Sequence, residues 1–314
     1  MQIILENVFS TEFIYAWIRI VTPILLASLG AAICNKAGVV NLGLEGIMLL
    51  SALAGVLGSA YGGSVLVGLL AGLAVALLTS LVFAWFHLNM KADAVLCGTA
   101  VNLFAAGATV LLLVTLTGEK GTSSSLKSFS FPSVTLPFVE DIPVLGRILS
   151  GHNFITWIGF LSVFLVWFLF YRMPFGLHLR AVGENPSAAA SVGIGVRRTR
   201  YIAILLCGIL SALGGMYMSM GYLNVFTRDM VAGRGYIALA AAAMGQSAPL
   251  GVLFSSLLFA AFSALSNTLQ LVEIPSQFVQ MLPYAATILG LTVFSIRKSR
   301  KERRQMLLPD KRQA

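Results

Sequence analysis

The stretch AGVVNLGLEGIMLLSALAG (residues 37–55) sets an amide, Asn41, and a carboxylate, Glu45, at the mouth of an apolar run. A charged side chain at the centre of a bilayer-spanning helix costs about 2.5–3.5 kcal/mol on insertion scales, so each one needs a partner or a task. Few ionisable residues share this position: Arg19, Glu45 and, near the end of a run, Asp93. Two readings of Glu45 stand open. A carboxylate in the first turn of a helix is favourable, with Asn41 as the N-cap and Lys36 as a nearby counter-charge. Alternatively, the two residues line a polar path or gate. Asn102, inside ADAVLCGTAVNLFAAG, either bonds a neighbouring helix or meets a polar substrate. Asn267 and Gln270, near the end of a later apolar run, pose the same choice.

Catalytic patterns are missing. There is no Walker A sequence, no G-x-S-x-G, no H-E-x-x-H and no carboxylate pair. His87, His152 and His178 have no partner at metal spacing, and Cys34, Cys97 and Cys207 all lie in apolar segments, where cysteine is a small core residue. No catalytic set, metal site or cofactor of the chain's own is expected, and the chain reads as a non-enzyme. A secondary carrier would place ionisable groups near the membrane midplane for ion coupling, and those are almost absent.

The elements that hold these residues are helices in a membrane. The 314 residues are 58% hydrophobic and 11% charged, with mean hydropathy +0.88, whereas a soluble domain carries about 25% charged residues. Apolar runs of about 20 residues cross a bilayer. Nine are read here, near 14–33, 42–60, 64–88, 93–117, 153–171, 201–222, 230–246, 249–269 and 278–296. The expected fold is all-α, one polytopic helical bundle over residues 1–314 with about nine spans, within limits of eight and ten. Residues 230–246 are suspect, because Gly233-Arg234-Gly235 leaves only about ten apolar residues, too few to cross alone. The first span carries Arg19 and Thr22-Pro23, so a broken helix is expected there too. Met1–Ser10 has Glu6 and no basic residue, so no cleavable signal is expected.

Net charge +9 does not point to nucleic acid, because it is concentrated. Residues 172–200 contribute +4 and residues 297–314 contribute +6. A basic loop and a basic tail are the positive-inside pattern. This places 173–200 and 297–314 in the cytoplasm, the 118–152 loop outside and the N-terminus outside. The cytoplasmic loop, MPFGLHLRAVGENPSAAASVGIGVRRTR (173–200), is long enough for two short helices. Asn185-Pro186 starts one and Gly193 ends it.

Gly183-Glu184-Asn185-Pro186, followed by Ala188, Ala189, Gly193 and Ile194, resembles the cytoplasmic segment of permease subunits in the ribose/simple-sugar branch of ABC importers. NKAGVVNLGLEGIMLLSALAG is similar to the N-x-G-x-E-G form of that family's nucleoside-permease subgroup. ADAVLCGTAVNLFAAG and GRGYIALAAAAMGQSAPLG resemble two further segments. Asp93-Ala94 and Cys97 depart from the subgroup's usual residues. The resemblance implies a type II-like ABC importer permease in the bacterial cytoplasmic membrane, the shorter of two related permeases forming a heterodimeric pore. It implies that Gly183, Glu184, Asn185, Pro186, Ala188, Ala189, Gly193 and Ile194 couple to a cytoplasmic ATPase that uses ATP and Mg. A substrate-binding lipoprotein outside would deliver a small polar substrate. Nucleosides are the substrate class most associated with the subgroup, with riboflavin and simple sugars served by close relatives; a carrier working without ATP is the rival class. Asn41, Glu45, Asn102 and Asn267 are the candidates for the translocation path. Residues 35–46 would be an unwound, protein-buried segment, with Glu45 holding its shape.

Overall fold

The computed structural model describes residues 11–135, 148 and 150–269, with isolated positions 285, 288, 290, 292 and 296. The chain opens with α1 (Thr11–Lys36), which is enclosed by its neighbours from Ile20 to Cys34. Contrary to expectation, Pro23 does not break it. Proline removes one N–H from the ladder, and the Thr22 hydroxyl donates to the Ile18 carbonyl at 3.0 Å just upstream. Close packing from Ile20 to Cys34 holds the helix continuous through the site.

The break falls one helix length later, before α2 (Leu44–Gly62). Next come α3 (Val65–Ala84), prolonged by a π turn over Trp85–Asn89, and α4 (Ala94–Thr117). Asp93 caps α4, its Oδ1 accepting from Val95 N at 2.8 Å and Leu96 N at 3.2 Å. That contact accounts for one of the three ionisable residues noted above. A two-residue ribbon, β1 (Ser133–Val134) with β2 (His152–Asn153), pairs antiparallel in the register Ser133 with Asn153. Then follow α5 (Phe154–Tyr171), α6 (Pro174–Glu184), α7 (Pro186–Ser191) and α8 (Val196–Met216), the last continued by a π turn to Tyr222. The described chain closes with α9 (Arg234–Met244) and α10 (Pro249–Leu269).

Among the described residues, seven helices are long and apolar enough to cross a membrane. The count of about nine is not confirmed among the described residues. The segment near 230–246 yields only the 11 residues of α9, about 16 Å of helix against a hydrocarbon core of about 30 Å. It is a half-length helix lodged among complete ones. The run near 278–296 falls almost entirely outside the described residues. Packing centres on α1, which touches α5, α8, α9 and α10. By contrast α4 turns much of its surface outward, with Leu103 76% and Phe104 66% exposed. Apolar residues facing out on a helix of this length suit lipid.

Candidate functional site at the break between α1 and α2

After Lys36 the chain turns at Ala37-Gly38, has no regular structure through Val39–Asn41 and turns again before α2. Asn41 is fully buried. It is not the N-cap expected from the sequence. Gly43 holds that position without a side-chain bond, and Asn41 Oδ1 accepts from Gly43 N at 3.0 Å, two residues ahead. An amide bonding its own backbone two residues on stabilises a turn rather than a helix start.

The first turn of α2 still has N–H groups without intrahelical partners. Asn102, on α4, answers one of them: its Oδ1 accepts from Gly46 N at 2.8 Å. Its Nδ2 donates to the Leu42 carbonyl at 2.9 Å and to the Tyr236 hydroxyl at 2.8 Å. One side chain therefore ties the break, α2 and the start of α9 together.

Glu45 faces the same way. Its Oε1 accepts from Gly233 N and its Oε2 from Gly235 N, both at 2.7 Å. These N–H groups open α9, where a helix carries partial positive charge, so the carboxylate is met by oriented donors instead of by Lys36. Gly235 is required by proximity, since a β-carbon there would lie 2.7 Å from Glu45 N. The next residue, Tyr236, is left 45% exposed, its ring fixed at one end by Asn102. Asn41, Glu45 and Asn102 thus meet at one place. Asn267 does not join them; it is exposed near the end of α10. Gly233, Gly235 and Tyr236 escaped the choice of site residues, although the Gly-Arg-Gly-Tyr before a run too short to cross was their signal.

The 173–200 loop folds into the two helices expected, α6 and α7. Asn185 caps α7, its Oδ1 accepting from Ala188 N at 3.0 Å, with Pro186 in the first turn. Glu184, Asn185, Ala188 and Gly193 are exposed, Ala189 is buried, and Gly183, Pro186 and Ile194 lie between. The end of α6 rests directly on the break. A β-carbon on Gly183 would collide with the Lys36 carbonyl oxygen, and from the start of α8 Arg200 Nε donates to the Ala37 carbonyl at 3.2 Å.

Helices long and apolar enough to cross a membrane, a buried break and a half-length helix aimed at a carboxylate describe a polytopic membrane protein. The chain belongs to the family described as branched-chain amino acid transport system / permease component, whose model matches residues 13–291. It is 36% identical over 303 residues to the guanosine ABC transporter permease protein NupQ of Bacillus subtilis, covering 93% of this chain and 92% of the relative. It is also 36% identical to the nucleoside ABC transporter permease protein NupC of Lactococcus lactis, covering 94% and 92%. A second Bacillus subtilis guanosine ABC transporter permease protein, NupP, is 26% identical, covering 77% and 70%.

Proposed function

We propose that the chain is one permease subunit of an ATP-driven importer that carries nucleosides across the bacterial cytoplasmic membrane. It works as a heterodimer with a second, related permease, a pairing that the similarity to both NupQ and NupP supports. A cytoplasmic ATPase consuming ATP and Mg drives the cycle, and an extracytoplasmic lipoprotein delivers the substrate. The observation that carries this reading is the direct backbone contact of Gly183 with Lys36 at the break. The exposed turn from Glu184 to Gly193 is the docking element. Closure of the ATPase moves it, and the movement reaches the break without passing through flexible side chains. Asn102 and Glu45 then relay it to α9, whose exposed Tyr236 lines the path. Among the substrate classes served by permeases of this kind, nucleosides are favoured by both relatives at 36% identity.

The test is reconstitution of the chain with its partner permease, ATPase and lipoprotein in proteoliposomes. Labelled guanosine is expected to accumulate only with ATP inside reach of the ATPase, while ribose and riboflavin are not. Accumulation by this chain alone without ATP would establish a carrier instead.

A further inference from the structure

The outward faces of α3 and α4 are not smooth. Between the two helices lies an apolar groove of about 590 Å³, walled by Val82 and Phe86 on one side and by Ala100 and Phe104 on the other. Cys97 and Val101, both buried, form its floor. A second groove of about 320 Å³ shares Val82 and Phe86 and reaches Trp85 and Tyr201. Val82 and Phe86, four residues apart, make one ridge along α3 and its π turn, and the two grooves flank it. Both end beside the start of α8, where Asn89 Nδ2 donates to the Tyr201 hydroxyl at 2.9 Å. Arg197 and Arg198 are exposed and stand four and three residues before Tyr201, on its side of the helix. Lys91, two residues after Asn89, is also exposed. It holds φ at +55°, a conformation that suits glycine better than a residue with a β-carbon. Asp93 is the one acid in the link from Met90 to Asp93, and its Oδ1 is engaged at the start of α4. By the charge pattern this end of the three helices faces the cytoplasm, and Trp85 and Tyr201 are of the type that gathers at a membrane interface.

We propose that the paired grooves seat one anionic phospholipid of the cytoplasmic leaflet, with an acyl chain on each side of the Val82–Phe86 ridge and the phosphate held by Lys91, Arg197 and Arg198. Shape and charge select this occupant together. Two apolar grooves that meet at one polar end match two chains joined at one headgroup, and chains that fill them restore dispersion contacts an empty groove forfeits. Basic pockets between helices on the cytoplasmic side take anionic headgroups. A zwitterionic lipid would bring an ammonium against the same cations. The seat also bears on the break. A β-carbon on Gly43 would lie 3.3 Å from Val101 Cγ1, so the groove floor is backed by the turn before α2, and the next residue, Asn102, binds Leu42 and Gly46. A lipid in the groove therefore supports α4 from outside at the level where α4 holds the break. The placement rests on the cytoplasmic assignment of 173–200 and does not depend on which substrate is carried.

The test uses the purified, delipidated complex in detergent, titrated with phosphatidylglycerol or with phosphatidylcholine of the same acyl chains, with bound lipid counted by native mass spectrometry. The wild-type complex is expected to bind one phosphatidylglycerol at least fivefold more tightly than phosphatidylcholine. R197Q/R198Q should bring that ratio towards one. K91G should lower it too, and because glycine suits the backbone at this position, the loss is not one of folding. Ala100 is exposed, so A100F fills the larger groove from its wall and should remove the tight site while thermal unfolding of the lipid-free complex stays unchanged. Equal affinities for the two lipids in the wild-type complex would overturn the assignment. So would an R197Q/R198Q or A100F complex that binds phosphatidylglycerol as the wild type does. An A100F chain that no longer associates with its partner permease would overturn it as well, since the partner and not a lipid would then fill the groove. None of these results touches uptake of nucleosides, so the transport reading stands or falls separately.

Discussion

Gly183 and Lys36 meet backbone to backbone: a β-carbon on Gly183 would occupy the space of the Lys36 carbonyl oxygen. The contact joins the exposed loop helices to the end of α1 with no side chain between them. Replacing Gly183 with valine must therefore push α6 away from the break. The expected outcome is a complex that assembles and hydrolyses ATP while uptake falls at least tenfold. ATPase activity and uptake measured on the same proteoliposomes check it, and a G183V protein with both rates intact would show that the contact transmits nothing.

Glu45 supports the N-terminus of α9 through one oxygen per N–H. E45Q retains one acceptor and turns an amide donor toward the other N–H. Hydrogen bonds to charged groups contribute about 1.5–3 kcal/mol each, so the loss of one and a donor–donor clash should lower stability on that order. E45D, one methylene shorter, should also fail to span Gly233 and Gly235. Thermal unfolding of the purified complex reads the effect. Wild-type stability in both variants would show that the clamp is energetically idle.

How far these contacts were legible in the sequence differs from residue to residue. Asn185-Pro186 announced its helix because capping is local: the amide, the proline and the N–H it serves lie within four residues. The break within residues 35–46 was legible through the resemblance, and the inability of the 230–246 run to cross through its length alone. Asn41 misled, because an amide before a helix can serve its own turn as readily as the helix, and only the backbone angles choose. Pro23 misled in the opposite way, since whether a proline breaks a helix depends on the packing around it. The partners of Glu45 stand 188 and 190 residues away. No spacing rule reaches that far, and Lys36 looked the better candidate only because it is near in sequence. Asn267 was chosen for its residue type, and the fold leaves it exposed near the end of α10.

Asn102 makes three hydrogen bonds through a single carboxamide, so truncation and charge change should separate its duties. N102A leaves Gly46 N and the Leu42 carbonyl without their partner, at a cost of about 1–3 kcal/mol per unsatisfied group. N102D still accepts from Gly46 N but sets an oxygen against the Leu42 carbonyl. Y236F removes only the hydroxyl contact. The expected order of thermal stability is wild type, then Y236F, then the two Asn102 variants. If N102A matches wild type in stability but alters which nucleoside is carried, Asn102 contacts the substrate and its structural bonds are secondary.

His152 makes stability depend on pH in a direction fixed by its surroundings. Burial lowers its pKa below the ordinary histidine value; the nearby Arg19 charge acts the same way, while the hydrogen bond to the Ile148 carbonyl opposes them. The folded protein therefore holds this ring neutral at pH values where the unfolded chain has begun to protonate it. Where the unfolded state binds more protons, stability rises with pH. The contribution is complete above about pH 6.5, the ordinary value, and is lost progressively as pH falls from there towards the lowered folded pKa. Purified complex should melt at lower temperature at pH 5.5 than at pH 7.5, and H152N should show a shallower dependence over the same interval. The other two histidines are common to both proteins, so the difference between the two slopes isolates His152. Parallel slopes would mean that the ring is as free to protonate in the folded protein as in the unfolded one.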